Sequence, residues 1–444
     1  MSIVQPRLVL AGLVLVGLWG CGPSPQSSTA ADTEYAGDAN KRLQELAKAF
    51  AANGDFSGVV AIAKNGVLVG HAAVAGPDRT ALPDLDTSFH IASVSKTFTA
   101  AAIRALISDG KIAMDDSIAD HLVDFPSGES ITIRHLLDHQ SGIPDYWSLG
   151  DVGAVMASAP STLDLVRWLG DQPLAFQPGS QDAYSNSGYA ILAAVIESAA
   201  RQPYHNFLDE RVYPLADLQN TSAFNNDADA QGQVPDFAPR MSRPSPAYDP
   251  AILIGAGSLK STGNDLLRWC DAFLSDYLDA STPKFLHGWG VRQEKGRRRA
   301  QQTGRNSGYS AHLRAYPDTH TCVVVLSNLE SEAVAAIGAA AAGIAFGETV
   351  TLPKRRQVVN VPEDALRTIA GRYMIAPGEY LEVKNGPNGL LLRGTHGPFL
   401  PLEPLGSDRY FYRQLHTSLT AERDDSGRVV ALLWGGNWRL ERSN

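Results

Sequence analysis

The sequence predicts a mixed α/β (α+β) fold: an antiparallel sheet flanked by helices, a helical lobe beside it, and a small all-β region towards the C-terminus. Three observations carry that prediction. Ser57 to Ala63 and Val67 to Ala75 are apolar runs joined by Lys64-Asn65-Gly66, a strong hairpin signal. Strand-like runs then return only at Gly288 to Arg292, Ala311 to Tyr316 and Thr321 to Leu326, after a long and mainly helical middle. The sheet must therefore be assembled from both ends of one unit. Beyond residue 362 the pattern changes to short alternating runs, punctuated by Asn385-Gly386, Asn388-Gly389 and Asp425-Ser426-Gly427.

Near the start, Arg7 supplies a positive charge before an apolar run from Leu8 to Leu18, of signal-peptide length and too short to span a membrane stably. Residues 1–21 are read as a signal segment and 22–38, opening Gly22-Pro23-Ser24-Pro25, as a flexible tether. Asn40 to Ala51 carries Leu43, Leu46, Ala47 and Phe50 at helical spacing, and Asn53-Gly54-Asp55 stops it before the hairpin. Thr97 to Ile107 is a second helix, ended by Gly110. Ile131-Thr132-Ile133 leads into a helical turn closed by Ser141-Gly142-Ile143-Pro144. Leu163 to Leu169 and Tyr189 to Ala200 are further helices, and Asn220 to Ala251 is a polar, Pro-rich loop. Ala333 to Ala345 closes the first unit, placed at 39–350. Pro353 to Val361 links it to the β-rich unit at 362–444.

At 444 residues more than one domain is expected, and 44% hydrophobic against 19% charged residues gives ample core material. The net charge of −9 argues against nucleic-acid binding. The one basic run, Lys295-Gly296-Arg297-Arg298-Arg299, reads as a solvated loop. Besides Cys21, only Cys270 and Cys322 are present. An exported protein could join them, but spacing shows no proximity, and the expectation is two buried free thiols.

Ser93-Val94-Ser95-Lys96 places a hydroxyl and an amine on one face of a helix start. A serine becomes nucleophilic when a neighbour takes its proton, and a lysine can do so if burial depresses its pKa. The apolar flanks Phe89-His90-Ile91-Ala92 and Thr97-Phe98-Thr99-Ala100 suit that burial. Alone, the tetrad could equally be an N-capping serine and a surface lysine. Tyr184-Ser185-Asn186 adds a phenol that could relay a proton beside a cation, and an amide that could orient both lysine and substrate. Gln302-Thr303-Gly304 precedes two strand-like runs.

Together these stretches resemble the three motifs of the serine β-lactamase and penicillin-binding superfamily, particularly its class C β-lactamase and esterase branch. Ile131 to Gly142 and Gly255-Ala256-Gly257-Ser258 resemble further landmarks of that family, so the resemblance covers about 50 to 350. It implies Ser93 as nucleophile, Lys96 and Tyr184 as proton carriers, and Asn186, Gln302, Thr303, Gly304 and Arg305 lining the substrate and oxyanion sites. The backbone N–H groups of Ser93 and Arg305 would form the oxyanion hole. No metal or organic cofactor is implied. The family has Lys or His where Gln302 stands, so a cation that would attract a substrate carboxylate is missing. Leu18-Trp19-Gly20-Cys21 resembles a bacterial lipobox with Trp19 in the place of a small residue, implying lipidation at Cys21 and an exported, membrane-anchored lipoprotein of the cell envelope.

The expected activity is therefore hydrolysis of a small ester, lactone or amide, with carboxylesterase action first and β-lactamase or D-alanyl peptidase action second. A catalytically idle envelope-binding module is the alternative from another class. His135 and His139 are four apart on a helix but lack a third ligand at metalloprotease spacing. Gly308-Tyr309-Ser310-Ala311-His312 misses the second glycine of a nucleophile elbow, and no P-loop is present.

Overall fold

Strands β1 (Gly58–Lys64) and β2 (Val67–Val74) form the expected hairpin, and its turn residues Asn65 and Gly66 take φ of +48° and +73°. Two successive positive φ values match the right-handed twist of the flanking strands, which is why Asn-Gly stands there. The computed structural model describes residues 39–76, 82–149, 161–223, 228–236, 240–245, 250–276, 285–286, 288–395 and 398–443. The signal segment 1–21 with Cys21, and the tether 22–38, lie outside the described residues.

On its other edge β1 pairs antiparallel with β12 (Thr321–Ser327), so the two ends of the first unit do meet in one sheet. β8 (Phe285–Leu286), β9 (Trp289–Glu294), β10 (Arg297–Asn306) and β11 (Tyr309–Tyr316) complete it in the order β2-β1-β12-β11-β10-β9-β8. Alternation along the strands sorts the side chains onto two faces. Val60, Ile62, Val323 and Val325 pack against α1 (Ala39–Ala51) and a later helix, Ala333–Ala345. Val59, Ala61, Val324 and Leu326 face the larger core built by the helical lobe. Central strands buried on both faces read as continuous apolar runs.

The helical lobe contains α2 (Ser95–Ser108), α3 (Ile133–Leu137), α4 (Thr162–Gly170), α5 (Asn186–Ala200) and α6 (Tyr204–Phe207), with α7 (Gly263–Asp276) beside the sheet. α2 is wedged between sheet and lobe, and every residue from Ser95 to Ile103 is buried. Phe98 of α2 stacks on Trp269 of α7 with ring centroids 4.1 Å apart. Within the expected loop from Asn220 to Ala251 lie three short strands, β4 (Ser222–Ala223), β5 (Gln233–Pro235) and β6 (Ser242–Pro244). β7 (Leu259–Ser261) joins β4 and β3 (Phe89–His90) in a small sheet.

Two expectations are corrected. Cys270 on α7 and Cys322 on β12 are joined in a disulfide, with Cα atoms 6.1 Å apart across 52 positions of sequence. They are not free thiols, because the helix packs directly on the strand. The basic run is not a loop: only Lys295 and Gly296 turn, and Arg297 to Arg299 open β10. Arg297 pairs with Glu348 at 2.9 Å and Arg299 with Glu294 at 2.5 Å. Glu294 from the neighbouring strand and Glu348 from beyond the end of the helix Ala333–Ala345 neutralise the guanidinium groups, so a charged segment can lie in the sheet.

After α8 (Ala333–Ala345), the C-terminal region forms a four-stranded and a five-stranded antiparallel sheet around a separate apolar core that includes Tyr373, Leu392, Leu419 and Leu432. The short helix α9 (Glu363–Ile369) is added to the expected strands. This region is tied to the first unit by an ionic knot. Arg413, 2% exposed, lies between the strands Arg409–Tyr412 and Thr417–Arg423. Its guanidinium donates to the carbonyls of Met241 (2.7 Å) and Gly54 and lies 3.8 Å from Asp55 and 3.7 Å from Glu403. Arg356 from the connecting segment donates to Asp55 and, at 2.9 Å, to Glu403. Burial would raise the Asp55 pKa, but hydrogen bonds from Arg356 and His416 outweigh it and hold the carboxyl below its usual range.

Candidate active site

A single 3-10 turn, Ala92–Val94, feeds α2, and Ala92 adopts φ +45°, a conformation sparsely populated by any residue but glycine. Ser93 sits on this turn half-buried, and Lys96 follows one turn later with no exposed surface. When charged, the Lys96 Nζ spends its three donors on Ser93 Oγ (3.2 Å), Asn186 Oδ1 (2.8 Å) and the Ala256 carbonyl (2.8 Å). Burial pulls the lysine down to about 7, with Asp145 opposing the fall. A neutral amine is therefore available near neutral pH, which a proton acceptor for serine requires.

Tyr184 donates its hydroxyl hydrogen to Ser93 Oγ at 2.9 Å. Burial raises its pKa, and the hydrogen bond to Ser93 only partly offsets this. The resting phenol is thus protonated. Burial thus lowers the lysine and raises the phenol, setting the two groups apart in acidity. Asn186 opens α5, whose N-cap is Ser185. Its amide bridges Lys96 and Asp145, donating Nδ2 to Asp145 Oδ2 at 2.8 Å.

β10 runs past the nucleophile with its residues alternating between faces. Gln302 donates Nε2 to the Ser93 carbonyl at 3.0 Å. A Cβ on Gly304 would fall 2.2 Å from the Ile91 carbonyl oxygen and 2.8 Å from the Ser93 nitrogen, so only glycine lets the strand approach this closely. Thr303 and Arg305 turn the other way. The Thr303 hydroxyl pairs with His312 Nδ1 at 2.7 Å, and Arg305 pairs with Glu332 at 3.2 Å and Glu330 at 3.8 Å. Their side chains do not join the hydrogen-bonded cluster around Ser93. Gln414 of the C-terminal region donates to Glu330 at 2.5 Å, so this region braces the back of the same strand.

Several contributors were not legible. Ala256 supplies a lysine acceptor from a turn read as a mere landmark. Its neighbour Gly255, at φ +69°, would place a Cβ 2.2 Å from the Tyr189 carbonyl oxygen. Asp145 follows the Ile143-Pro144 stop with no pattern to mark it. His139 brackets Tyr184: its carbonyl accepts from Ala183 N at 2.9 Å, its Nδ1 accepts from Ser185 N at 3.2 Å, and its ring lies 4.6 Å from the tyrosine ring. Burial, then Lys96, push it down to about 3, so it stays neutral. His135 accepts from Thr132 N in a capping box. Among the described residues no three His, Cys, Asp or Glu side chains are grouped to hold a metal ion. Ser310 of the near-elbow is fully buried and accepts from Ser331 N.

This constellation has counterparts in known proteins. The family described as Beta-lactamase matches residues 43–346. Penicillin-binding protein 4* of Bacillus subtilis (strain 168) is 28% identical over 416 residues, covering 84% of this chain and 92% of that protein. A D-aminopeptidase of Brucella anthropi is 30% identical over 226 residues, covering 48% of this chain and 41% of that protein. The structure of the octameric penicillin-binding protein homologue from Pyrococcus abyssi matches with a TM-score of 0.58 at 20% identity, covering 88% of this chain and 97% of that one, a likeness of fold. With the family match running over residues 43–346, most of its length, the chain belongs to the beta-lactamase family of serine hydrolases.

Proposed function

We propose that the chain hydrolyses small substrates without a carboxylate, esters ahead of amides, through an acyl-enzyme on Ser93. The observation that carries this reading is the fully buried Lys96, with Nζ 3.2 Å from Ser93 Oγ and its pKa lowered to about 7. As Ser93 Oγ bonds to the substrate carbonyl carbon, its proton passes to neutral Lys96. The resulting oxyanion accepts from the backbone N–H groups of Ser93 and Arg305, and losing one such donor typically costs about 10²–10³ in turnover. Tyr184 gives its proton to the leaving group as the carbonyl re-forms, and is reprotonated from Lys96. Water then adds to the acyl carbon by the reverse relay and frees Ser93.

Substrate preference rests on Gln302. A neutral amide already bonded to the Ser93 carbonyl offers no charge to a substrate carboxylate. A charge-assisted hydrogen bond contributes about 1.5–3 kcal/mol, roughly twice a neutral one. The D-aminopeptidase relative favours D-amino-acid amides as the second reading. A panel of a short-chain chromogenic ester, a D-amino-acid amide, a cephalosporin and a D-Ala-D-Ala peptide separates these. The expected kcat/KM order places the ester first and the two carboxylates last; cephalosporin turnover above ester turnover sinks the proposal.

We also propose export and lipid attachment at Cys21. The apolar run before Cys21 supports it, as does the Cys270–Cys322 disulfide, a bond suited to an oxidising compartment. Cys21→Ser is expected to move the protein from the membrane to the soluble fraction of expressing bacteria. An unchanged distribution overturns the anchor.

A further inference from the structure

We propose that Asp145 is a positioning residue of this site: its carboxylate fixes the Asn186 amide in the one orientation that presents Oδ1 to Lys96, and it is the buried negative charge linked to the amine through that amide. The proposal rests on the acyl-enzyme reading above and adds a residue to it.

The geometry leaves little freedom. Asp145 Oδ2 accepts two N–H groups from the same residue, the Asn186 backbone at 2.7 Å and its Nδ2 at 2.8 Å. Oδ1 accepts from the Trp147 backbone at 2.9 Å, capping the short turn Tyr146–Ser148. The Asn186 amide is thus gripped from both sides. A charged Lys96 has only donors to offer and an ionised Asp145 only acceptors. Reversing the amide would set its NH₂ against the lysine and its oxygen against the carboxylate, so both neighbours enforce one orientation.

The charges around the pair single out Asp145. Lys96 lies 4.9 Å from the Tyr184 ring and 5.5 Å from the Tyr189 ring, and burial raises both phenols, keeping them neutral. Tyr146, beside Asp145, is likewise held neutral, and His139 is kept unprotonated. On α2, Ser93 carries no charge. Burial raises Asp145, while N–H groups of Asn186 and Trp147, together with Lys96, favour its ionised form. Among these groups Asp145 is the anion that stabilises a charged Lys96.

The sign follows. An anion beside an ammonium raises the lysine pKa, so removing it lets Lys96 lose its proton at lower pH. The test is the rate of fluorophosphonate labelling, and kcat/KM on the ester, measured against pH for wild type, Asp145→Asn and Asp145→Ser. Both neutral variants are expected to move the acid limb to lower pH by at least about half a unit. Their plateau kcat is expected to fall about tenfold, because nothing then enforces the Asn186 orientation. A limb that moves by less than about half a unit overturns the inference. So does failure of both variants to fold, which would make the carboxylate purely structural. Failure of the underlying reading looks different: labelling of wild type would be absent or would persist in Ser93→Ala.

Discussion

Ser93→Ala is expected to abolish covalent labelling by a fluorophosphonate and to lower turnover on the order of 10⁵–10⁶-fold. No other hydroxyl can substitute. Tyr184 OH points at Ser93 Oγ as a donor, and Ser95, two residues on, is fully buried and accepts from Leu259 N. Lys96→Ala is expected to cost about 10²–10⁴, the range of a general base. It should also erase the acid limb of the wild-type kcat/KM profile, which is expected near pH 7 because burial brings Lys96 there. As pH falls below that value the amine protonates and activity is lost. Lys96→Arg is expected to be as poor as the alanine variant, since a guanidinium stays charged. Label that persists on Ser93→Ala, or an acid limb that survives Lys96→Ala, would show the proton traffic assigned wrongly.

The largest expected loss of stability comes from Arg413→Ala. The guanidinium it removes contacts two backbone carbonyls and lies near Asp55 and Glu403, both almost fully buried. Breaking one side of a buried ionic cluster costs about 3–5 kcal/mol, because the remaining charges stay desolvated with fewer partners. Denaturant unfolding of the full chain measures this; a loss below about 1 kcal/mol would place the cluster with weak surface pairs. The same cluster sets an acid sensitivity. Asp55 has a folded pKa below its unfolded value, so its contribution is present above the ordinary carboxylate range and is lost as pH falls through the depressed value. In Arg356→Ala, which removes the main hydrogen-bond donor to Asp55, that acid transition should begin at higher pH. Arg413 belongs to the segment that carries Gln414, and Gln414 reaches Glu330 behind β10, so turnover should fall with stability.

Much of the site could be read from local spacing. Ser93 and Lys96 are three apart at a helix start, and such spacing survives into any fold that keeps the helix. Tyr184 and Asn186 are also local, since one N-cap at Ser185 places both. β10 was obscured because its first residues are arginines and its motif begins with an amide. Strand character there depends on Glu294, Glu348 and Asp318 as partners, and these are supplied by other segments. That the sheet joins both ends of the first unit needed only the hairpin and the late apolar runs, whereas its strand order and the Cys270–Cys322 bond depended on tertiary packing, the bond on α7 against β12.

The sequence by itself determined the family, the fold class, the nucleophile helix and the absence of a cation at position 302. Only the tertiary structure decided how deeply Lys96 is buried and which groups surround its amine. Periodicity and motif spacing are properties of neighbours along the chain. A lysine pKa near 7 is a property of what surrounds the amine in space. Here that surrounding is Ser93 from its own helix, Asn186 and Asp145 from the lobe, and Ala256 from a turn 160 residues away.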